Sequence, residues 1–274
     1  MDIKAIFVDL DWTLLQGVKT VTPRTIEAFK RIKEKGIEPI VTTGRPAFES
    51  DFAMQAIGAM KYAIVTNGMI VYDNYAERHI LQEGFMDDAS VVEILEYLYA
   101  DDVFAQAYIG EKAYGQKGNA HLIKTCGMTP QHVEFFSETM VVVDNVADYI
   151  KENQVHVSKI LVSIADPEKK KRIREDLKKY EGIKTLESGV AYLEVIPDYA
   201  DKKYGVRAVR EQMGITMEQV MAIGDSENDL GMFEEAGVKV AMGNAVAELK
   251  EKADYIVPTN MEEGVAWTLE NLIL

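Results

Sequence analysis

The stretch Ile3-Lys-Ala-Ile-Phe-Val-Asp9-Leu-Asp11-Trp-Thr13 begins as a short apolar run and ends in two closely spaced acids. Such a run is expected of a parallel strand that is covered on both faces. We therefore predict a strand over residues 3–8. Because ligands of an open parallel sheet bind beyond the carboxyl ends of its strands, the polar residues that follow this strand are the first candidates for a site.

Strand and helix signals alternate outward from this stretch. Thr22 and Pro23 supply an N-cap and a first-turn proline for a helix that Gly36 ends. This alternation predicts an α/β fold, a doubly wound parallel sheet of the Rossmann-like type. The other elements predicted around the sheet are strands 37–42, 62–66, 69–72, 77–81, 219–223, 238–241 and 255–257 and helices 46–57, 204–213, 228–236, 246–252 and 262–272.

From residue 83 to residue 195 the pattern is looser, with short strands, helices and a loop-rich segment at 117–136. This mixture is typical of a separate α+β unit. We predict a sheet domain made from residues 1–82 and 196–274, interrupted by an inserted domain of residues 83–195. The elements predicted in the insert are helices 87–99, 146–152 and 167–180 and strands at 157–164 and near Val103, Ala113, Ile183 and Tyr192.

Composition and charge narrow the classes of function. The chain has 274 residues and a net charge of −15 at pH 7, which disfavours nucleic-acid binding because that affinity comes from clustered Lys and Arg. No apolar stretch reaches the roughly 18 residues of a membrane span, so no membrane partner is expected. The single cysteine, Cys126, cannot form an internal disulfide, which favours a reducing compartment, the cytoplasm. The sequence predicts no oligomeric state.

Two polar clusters follow the first two predicted strands. Asp9 and Asp11 are two carboxylates at i and i+2, which repel each other unless a cation or a shared proton intervenes. They are equally compatible with a turn that carries two solvated aspartates. Thr43-Gly44-Arg45-Pro46 opens a helix and could cradle a phosphate, although Thr43 could instead only cap that helix while Gly44 permits the turn.

Two further clusters lie in the last third of the chain. Lys202 and Lys203 stand at a helix start, where a positive charge opposes the helix dipole unless an anion is bound. Gly224-Asp-Ser-Glu-Asn-Asp229 concentrates oxygen donors after an apolar strand, and hard oxygen donors at that density suit Mg²⁺. In this segment too, a simpler interpretation remains, in which Asp225 or Ser226 only caps a helix.

Taken together and in this order, the four clusters resemble the four motifs of the haloacid dehalogenase superfamily. They are Asp9-Leu-Asp11-Trp-Thr13, Thr43 before Gly44-Arg45, a lysine, and Gly224-Asp-Ser-Glu-Asn-Asp229. The segment 236–245, Ala-Gly-Val-Lys-Val-Ala-Met-Gly-Asn-Ala, is similar to the Cof-type subgroup, whose members carry a large α+β cap of the C2 type between the second and third motifs. The resemblance spans the whole chain.

The resemblance implies a Mg²⁺-dependent phosphatase that hydrolyses small phosphorylated metabolites, such as sugar phosphates, through an aspartyl-phosphate intermediate. It implies that Asp9 is the nucleophile and that Asp11 first protonates the leaving oxygen and then activates water. The family spacing places Lys202 in the catalytic position, with Lys203 as the alternative. The metal would be held by Asp9, the Asp11 carbonyl, Asp225 and Asp229, and the phosphoryl group by Thr43, Gly44 and Asn228.

Other interpretations of the sequence remain. A phosphomutase or other phosphotransferase would return the phosphoryl group to a substrate, and a signalling protein would accept it on Asp9 without turnover. Trp12 stands where many relatives have glycine, and it could narrow the mouth of the site, stack on the leaving group or only cover the adjoining loop. Candidates for substrate contact in the insert, which could equally be an ordinary surface loop, are Tyr114, Gln116, Lys117, Asn119 and His121.

Overall fold

The computed structural model describes residues 2–58, 61–187 and 191–274, and the chain divides into two compact units. The core unit comprises Met1–Glu83 and Asp201–Leu274, and the inserted unit comprises Gly84–Ala200. The second boundary thus falls after Ala200 rather than after residue 195. The physical reason is that Tyr192–Pro197 pairs along its length with strands of the inserted unit.

The described residues contain fourteen strands, which we number in chain order. They are β1 (Ala5–Val8), β2 (Glu38–Thr42), β3 (Ala63–Val65), β4 (Ile70–Asn74), β5 (His79–Gln82), β6 (Phe104–Ile109), β7 (Lys112–Gln116), β8 (Met140–Val143), β9 (Lys159–Ser163), β10 (Ile183–Leu186), β11 (Tyr192–Pro197), β12 (Val220–Gly224), β13 (Val238–Ala241) and β14 (Tyr255–Ile256). The core unit holds one sheet in the order β14-β13-β12-β1-β2-β3-β4-β5. The strands from β14 to β3 are parallel, as predicted, and β4 and β5 add an antiparallel edge.

The described residues also contain ten α-helices. They are α1 (Pro23–Glu34), α2 (Ala47–Ile57), α3 (Asp88–Ala100), α4 (Pro130–Thr139), α5 (Val146–Asn153), α6 (Pro167–Leu177), α7 (Lys202–Met213), α8 (Leu230–Glu234), α9 (Ala247–Glu251) and α10 (Gly264–Thr268). Helix α1 begins as the sequence predicts, because the Thr22 side chain accepts a hydrogen bond from the Thr25 amide. No helix among the described residues is long and apolar enough to cross a membrane.

Helix α7 begins two positions earlier than predicted, at Lys202 instead of residue 204. The Asp201 side chain caps it by accepting a hydrogen bond from the Lys203 amide at 2.9 Å. A carboxylate at this position also interacts favourably with the positive end of the helix dipole. The cap therefore places the Lys202 side chain in the first turn of the helix.

The inserted unit holds a second sheet in the order β10-β11-β9-β6-β7-β8. Apolar residues of α3, α5 and α6 form its buried core with alternate residues of the central strands, among them Ala105, Ala107, Ile160 and Val162. Two elements, α4 and β8, were not predicted, and α4 begins within the segment 117–136 that was expected to be loop-rich. Its signal was present, because Thr129-Pro130 repeats the cap that begins α1. Strand β8 forms by pairing in parallel with β7, which is separated from it in sequence by α4, so its local sequence does not reveal it.

Candidate active site

The central position of β1 brings three strand ends together. Val8, the last residue of β1, is in register with Val41 of β2 on one side and Ile223 of β12 on the other. Because all three strands are parallel, the residues that follow them emerge at the same edge of the sheet. Asp9, Thr43 and Asp225 therefore start from neighbouring positions, although they are far apart in sequence.

Lys202 connects two of these segments. Its Nζ donates to Asp9 Oδ1 at 2.5 Å and to Asp229 Oδ1 at 2.7 Å, and the lysine is 0% exposed. Lys203 instead lies at the surface, where its Nζ donates to Glu234 Oε2 at 3.3 Å. Of the two lysines that the sequence proposes, Lys202 is thus the one that the structure places among the acids.

The neighbouring carboxylates keep the Lys202 side chain in its charged form. Burial alone lowers the pKa of Lys202, but the carboxylates of Asp229 and Asp9 outweigh burial and raise that pKa above its ordinary value. The lysine therefore stays protonated at neutral pH. Removing one partner of such a buried ion pair costs about 3–5 kcal/mol, because the other charge is left buried and uncompensated.

Three buried acids surround the ammonium. Asp9, Asp225 and Asp229 each offer a carboxylate oxygen, and these oxygens lie within 4.8 Å of one another. Burial, followed by the charge of Asp229, raises the pKa of Asp9 well above its ordinary value and that of Asp225 to about 7. A single lysine cannot neutralise three carboxylates, so a further cation is needed to keep all of them ionised.

The donor set of this cluster fits Mg²⁺, which takes hard oxygen ligands and is held by one or two carboxylates. The hydrogen bonds that Asp9 and Asp225 accept from Lys202 and Thr13 both use Oδ1, so Oδ2 of each carboxylate remains for a metal. Asp229 differs, because its Oδ1 is bound to Lys202 and its Oδ2 accepts from the main-chain amides of Asp225 and Ser226 at 2.8 and 3.0 Å. This arrangement favours Asp9 and Asp225 as the metal ligands and Asp229 as the residue that holds Lys202.

Thr13 has a contact that the sequence did not predict. Its Oγ1 donates to Asp225 Oδ1 at 2.7 Å across 212 positions of sequence, and the threonine is buried. The Thr13 hydroxyl thus orients the carboxylate of Asp225, a candidate metal ligand. Thr13 follows the same strand, β1, as the candidate nucleophile Asp9.

Asp11 is held apart from the buried acids. Arg45 donates to it twice, from Nε to Oδ2 at 2.8 Å and from Nη2 to Oδ1 at 2.5 Å. The arginine is buried, whereas the Asp11 side chain is 41% exposed. This two-point geometry orients the carboxylate more strictly than a single bond could. The metal contact predicted for Asp11 comes from its main-chain carbonyl and stays a prediction.

The Thr43–Gly44 turn is not a helix cap. Pro46 is the N-cap residue of α2 and has no side-chain capping bond, while Thr43 Oγ1 accepts from the Arg45 amide at 3.1 Å. Gly44 provides space, since a Cβ atom there would lie 3.0 Å from Asn67 Oδ1. Asn67 is therefore a close neighbour of the predicted phosphate cradle.

Asn67 also contacts the fourth motif, because its Oδ1 accepts from Asn228 Nδ2 at 3.1 Å. Thr66, Asn67 and Gly68 all have positive φ angles, of 52°, 53° and 86°. A β-branched residue is rare in this region, and such strain is concentrated at functional sites. The signal in the sequence was Thr66-Asn67-Gly68, a turn sequence at the end of a predicted strand.

The candidates predicted in the insert have neighbours within their own unit. The Tyr114 ring stacks on Tyr149 with the centroids 4.7 Å apart, and Asn119 Nδ2 donates to the Tyr99 carbonyl at 3.2 Å. Gln116 donates to Asn119, and Lys117 forms an exposed ion pair with Asp144. His121 is exposed. These contacts explain the burial of Tyr114 and Asn119, and the part of the five residues in substrate binding stays a prediction.

A parallel α/β sheet with a buried Asp–Lys pair and further acids at its carboxyl edge defines a Rossmann-like enzyme suited to phosphoryl transfer. The sequence profile of the haloacid dehalogenase-like hydrolases matches residues 6–269, and the chain belongs to this family. This result confirms the family that the four motifs indicated.

Individual relatives align with this chain over nearly their full length. The chain is 26% identical to 5-amino-6-(5-phospho-D-ribitylamino)uracil phosphatase YwtE of Bacillus subtilis, with 99% of this chain and 98% of the relative covered. It is 27% identical to pyridoxal phosphate phosphatase YbhA of Escherichia coli, with 97% of both chains covered. A crystal structure of a haloacid dehalogenase-like hydrolase from Bacteroides thetaiotaomicron superposes with a TM-score of 0.85 at 27% identity, covering 99% of this chain and 100% of the other. The protein is a Cof-type phosphatase, a phosphoric monoester hydrolase.

The neighbouring lysines provide a matched test of the site. We expect Lys202→Met to lower stability by about 3–5 kcal/mol, because Asp9 and Asp229 lose their buried counter-charge. Phosphatase turnover should fall by about 10²-fold or more, the effect of losing one preorganised donor. Lys203→Met should leave both close to wild type. Denaturant unfolding and steady-state kinetics measure these effects, and equal losses in the two variants would contradict the assignment of Lys202.

The raised pKa of Asp225 predicts a pH-dependent response to Mg²⁺. Since its folded-state pKa is about 7 and its ordinary value is 3.8, the folded protein binds more protons in this interval and loses stability as the pH rises through it. Mg²⁺ binds the ionised carboxylates and should stabilise the fold by about 2.7 kcal/mol at 100 times its Kd. The gain in Tm should therefore be larger at about pH 8 than at about pH 5.

Thermal unfolding with and without Mg²⁺ at the two pH values measures this response. Asp225→Asn is the control, because the amide still accepts from Thr13 but supplies no negative charge for a metal. A Tm gain in Asp225→Asn equal to that of the wild type would remove Asp225 from the metal site.

Proposed function

We propose that the protein is a Mg²⁺-dependent phosphatase that hydrolyses small phosphate monoesters through an aspartyl-phosphate on Asp9. The observation that carries the proposal is the buried Lys202 ammonium bound to both Asp9 and Asp229, with Asp225 beside them. Bound Mg²⁺ would be held by Asp9 and Asp225 and would neutralise the charge of the carboxylates and of the phosphoryl group.

In the first step, the Asp9 carboxylate attacks phosphorus and the bond from phosphorus to the leaving oxygen breaks. Lys202 keeps the attacking carboxylate in place through Oδ1. The Thr43 hydroxyl, the main chain at Gly44 and the Asn228 amide would hold the phosphoryl oxygens, and Asp11 would donate a proton to the leaving oxygen.

In the second step, water attacks the phosphorus of the aspartyl-phosphate and the bond to Asp9 breaks. Asp11 takes the proton from water, which completes its cycle as acid and then base. Arg45 donates to both oxygens of the Asp11 carboxylate, which favours the ionised form that accepts a proton from water. For the first step, in which Asp11 donates a proton, this ion pair would have to open.

The substrates we propose are small phosphorylated metabolites, and neither a nucleic acid nor a membrane is part of the proposal. The relatives act, by name, on the phosphates of a ribitylaminouracil and of pyridoxal, which supports a small organic leaving group. We further propose a cytoplasmic location and a role of the inserted unit in selecting the substrate.

A panel of phosphate monoesters, each tested with and without Mg²⁺, examines the proposal. We expect hydrolysis only with Mg²⁺, and Asp9→Asn should reduce it by about 10⁴-fold or more because the nucleophile is lost. Asp198→Asn, which changes an exposed aspartate of the inserted unit, is the matched control. Rapid quenching with a labelled ester should trap the phosphoryl group on Asp9.

Three results would contradict the proposal. Activity that survives in Asp9→Asn would exclude the aspartyl-phosphate. Return of the phosphoryl group to a sugar phosphate would identify a phosphomutase instead. Stable labelling of Asp9 without repeated turnover would identify a phospho-acceptor.

A further inference from the structure

Trp12 has an unusual backbone conformation for a large residue. It lies between Asp11 and Thr13, and its φ of 59° and ψ of 3° are in the left-handed region. Glycine adopts this conformation without strain, whereas a bulky side chain is a genuine outlier there. Strain of this kind persists where the surroundings enforce it, and it is found most often at active sites.

The Trp12 residue is mostly exposed. It is 61% exposed, so most of its surface is open to a ligand. Glycine would adopt this backbone conformation without strain, and an indole that is mostly exposed gains less from packing than a buried one. This combination favours a role of the indole in contacting a ligand.

The backbone that carries the indole is firmly held. The Trp12 carbonyl accepts from Asn244 Nδ2 at 2.8 Å, and Asn244 Oδ1 accepts in turn from the Asn260 amide at 3.0 Å. On either side, Asp11 is bound by Arg45 and Thr13 by Asp225. An indole has only two side-chain torsions, so on a fixed backbone it offers a large surface at a small entropic cost of ordering.

The position of Trp12 next to Asp11 points to the leaving group. Under the proposed function, Asp11 donates its proton to the leaving oxygen, and adjacent Cα atoms are about 3.8 Å apart. An indole is long enough to reach atoms one or two bonds beyond that oxygen. Aromatic rings are attracted to one another in offset stacks beyond their ordinary apolar contact.

We propose that Trp12 is a specificity-determining residue whose indole stacks on a planar leaving group, so that the favoured substrates are phosphate monoesters of aromatic or heteroaromatic alcohols. The inference rests on the proposed function, because it requires the phosphoryl group at Asp9. It extends that function by naming the chemical class of the leaving group.

Benzyl phosphate and cyclohexylmethyl phosphate test the proposal, because their leaving alcohols have similar size and acidity and differ in planarity. The wild type should show the higher kcat/KM with benzyl phosphate. In Trp12→Gly the ratio of the two kcat/KM values should fall by about two- to tenfold, the range of aromatic stacking, and Trp12→Phe should keep most of the preference. Trp267→Phe, which changes the other tryptophan, should keep the wild-type ratio.

Stability and binding provide readouts that do not depend on turnover. The Tm of Trp12→Gly should equal or exceed that of the wild type, because glycine relieves the left-handed strain and little packing is lost. In Asp9→Asn with Trp267→Phe, fluorescence reports on Trp12 alone. It should change saturably with benzyl phosphate, and inorganic phosphate should reverse the change.

The failures are distinguishable. If the wild type hydrolyses phosphate monoesters but Trp12→Gly keeps the ratio of benzyl to cyclohexylmethyl ester, the inference about Trp12 is wrong and the proposed function stands. A lower Tm in Trp12→Gly would assign the indole a structural role and would equally overturn the inference. If the wild type with Mg²⁺ hydrolyses no ester of the panel, the proposed function itself is wrong.

Discussion

The Lys202 ammonium, fully buried between Asp9 and Asp229, sets the conditions for the whole site. A buried charge is tolerated only when partners surround it, and each of the three groups would be unfavourable alone. The pair of carboxylates keeps the lysine charged, and the lysine holds one oxygen of Asp9 while the other remains for phosphorus or metal. With Asp225 added, negative charge exceeds positive charge, and this excess is the basis of the proposed cation site.

The parallel sheet makes this arrangement possible. Because β1 lies between β2 and β12, acids and hydroxyls that are more than 200 positions apart, such as Thr13 and Asp225, come within hydrogen-bonding distance. The strand core beneath them is apolar and fully buried, so the polar residues begin only where the strands end. The sheet is thus the rigid support, and the loops at its edge carry the chemistry.

Residues with a left-handed backbone, Thr66, Asn67 and Trp12, lie near this site, and their conformations have two different explanations. Thr66 and Asn67 are left-handed in a loop that brings an amide side chain against Gly44 and Asn228, so their conformation serves contacts within the site. Trp12 is left-handed and mostly exposed, so its indole remains open to a ligand. At these positions a residue other than glycine adopts a backbone conformation that costs stability. Such exceptions to local conformational preference are expected at functional sites.

The sequence by itself determined the alternation of strands and helices, the family and the acids and lysine at the strand ends. These features are local, since a cap, an apolar run or a motif is complete within about ten residues. Tertiary structure alone decided which groups touch. Nothing near Arg45 in sequence specifies Asp11 as its partner, and nothing near Thr13 specifies Asp225, because these pairs depend on the register of strands that fold together from distant segments. The parallel partner of β8 was hidden for the same reason, and the exposure of Trp12 depends on the packing of the whole fold.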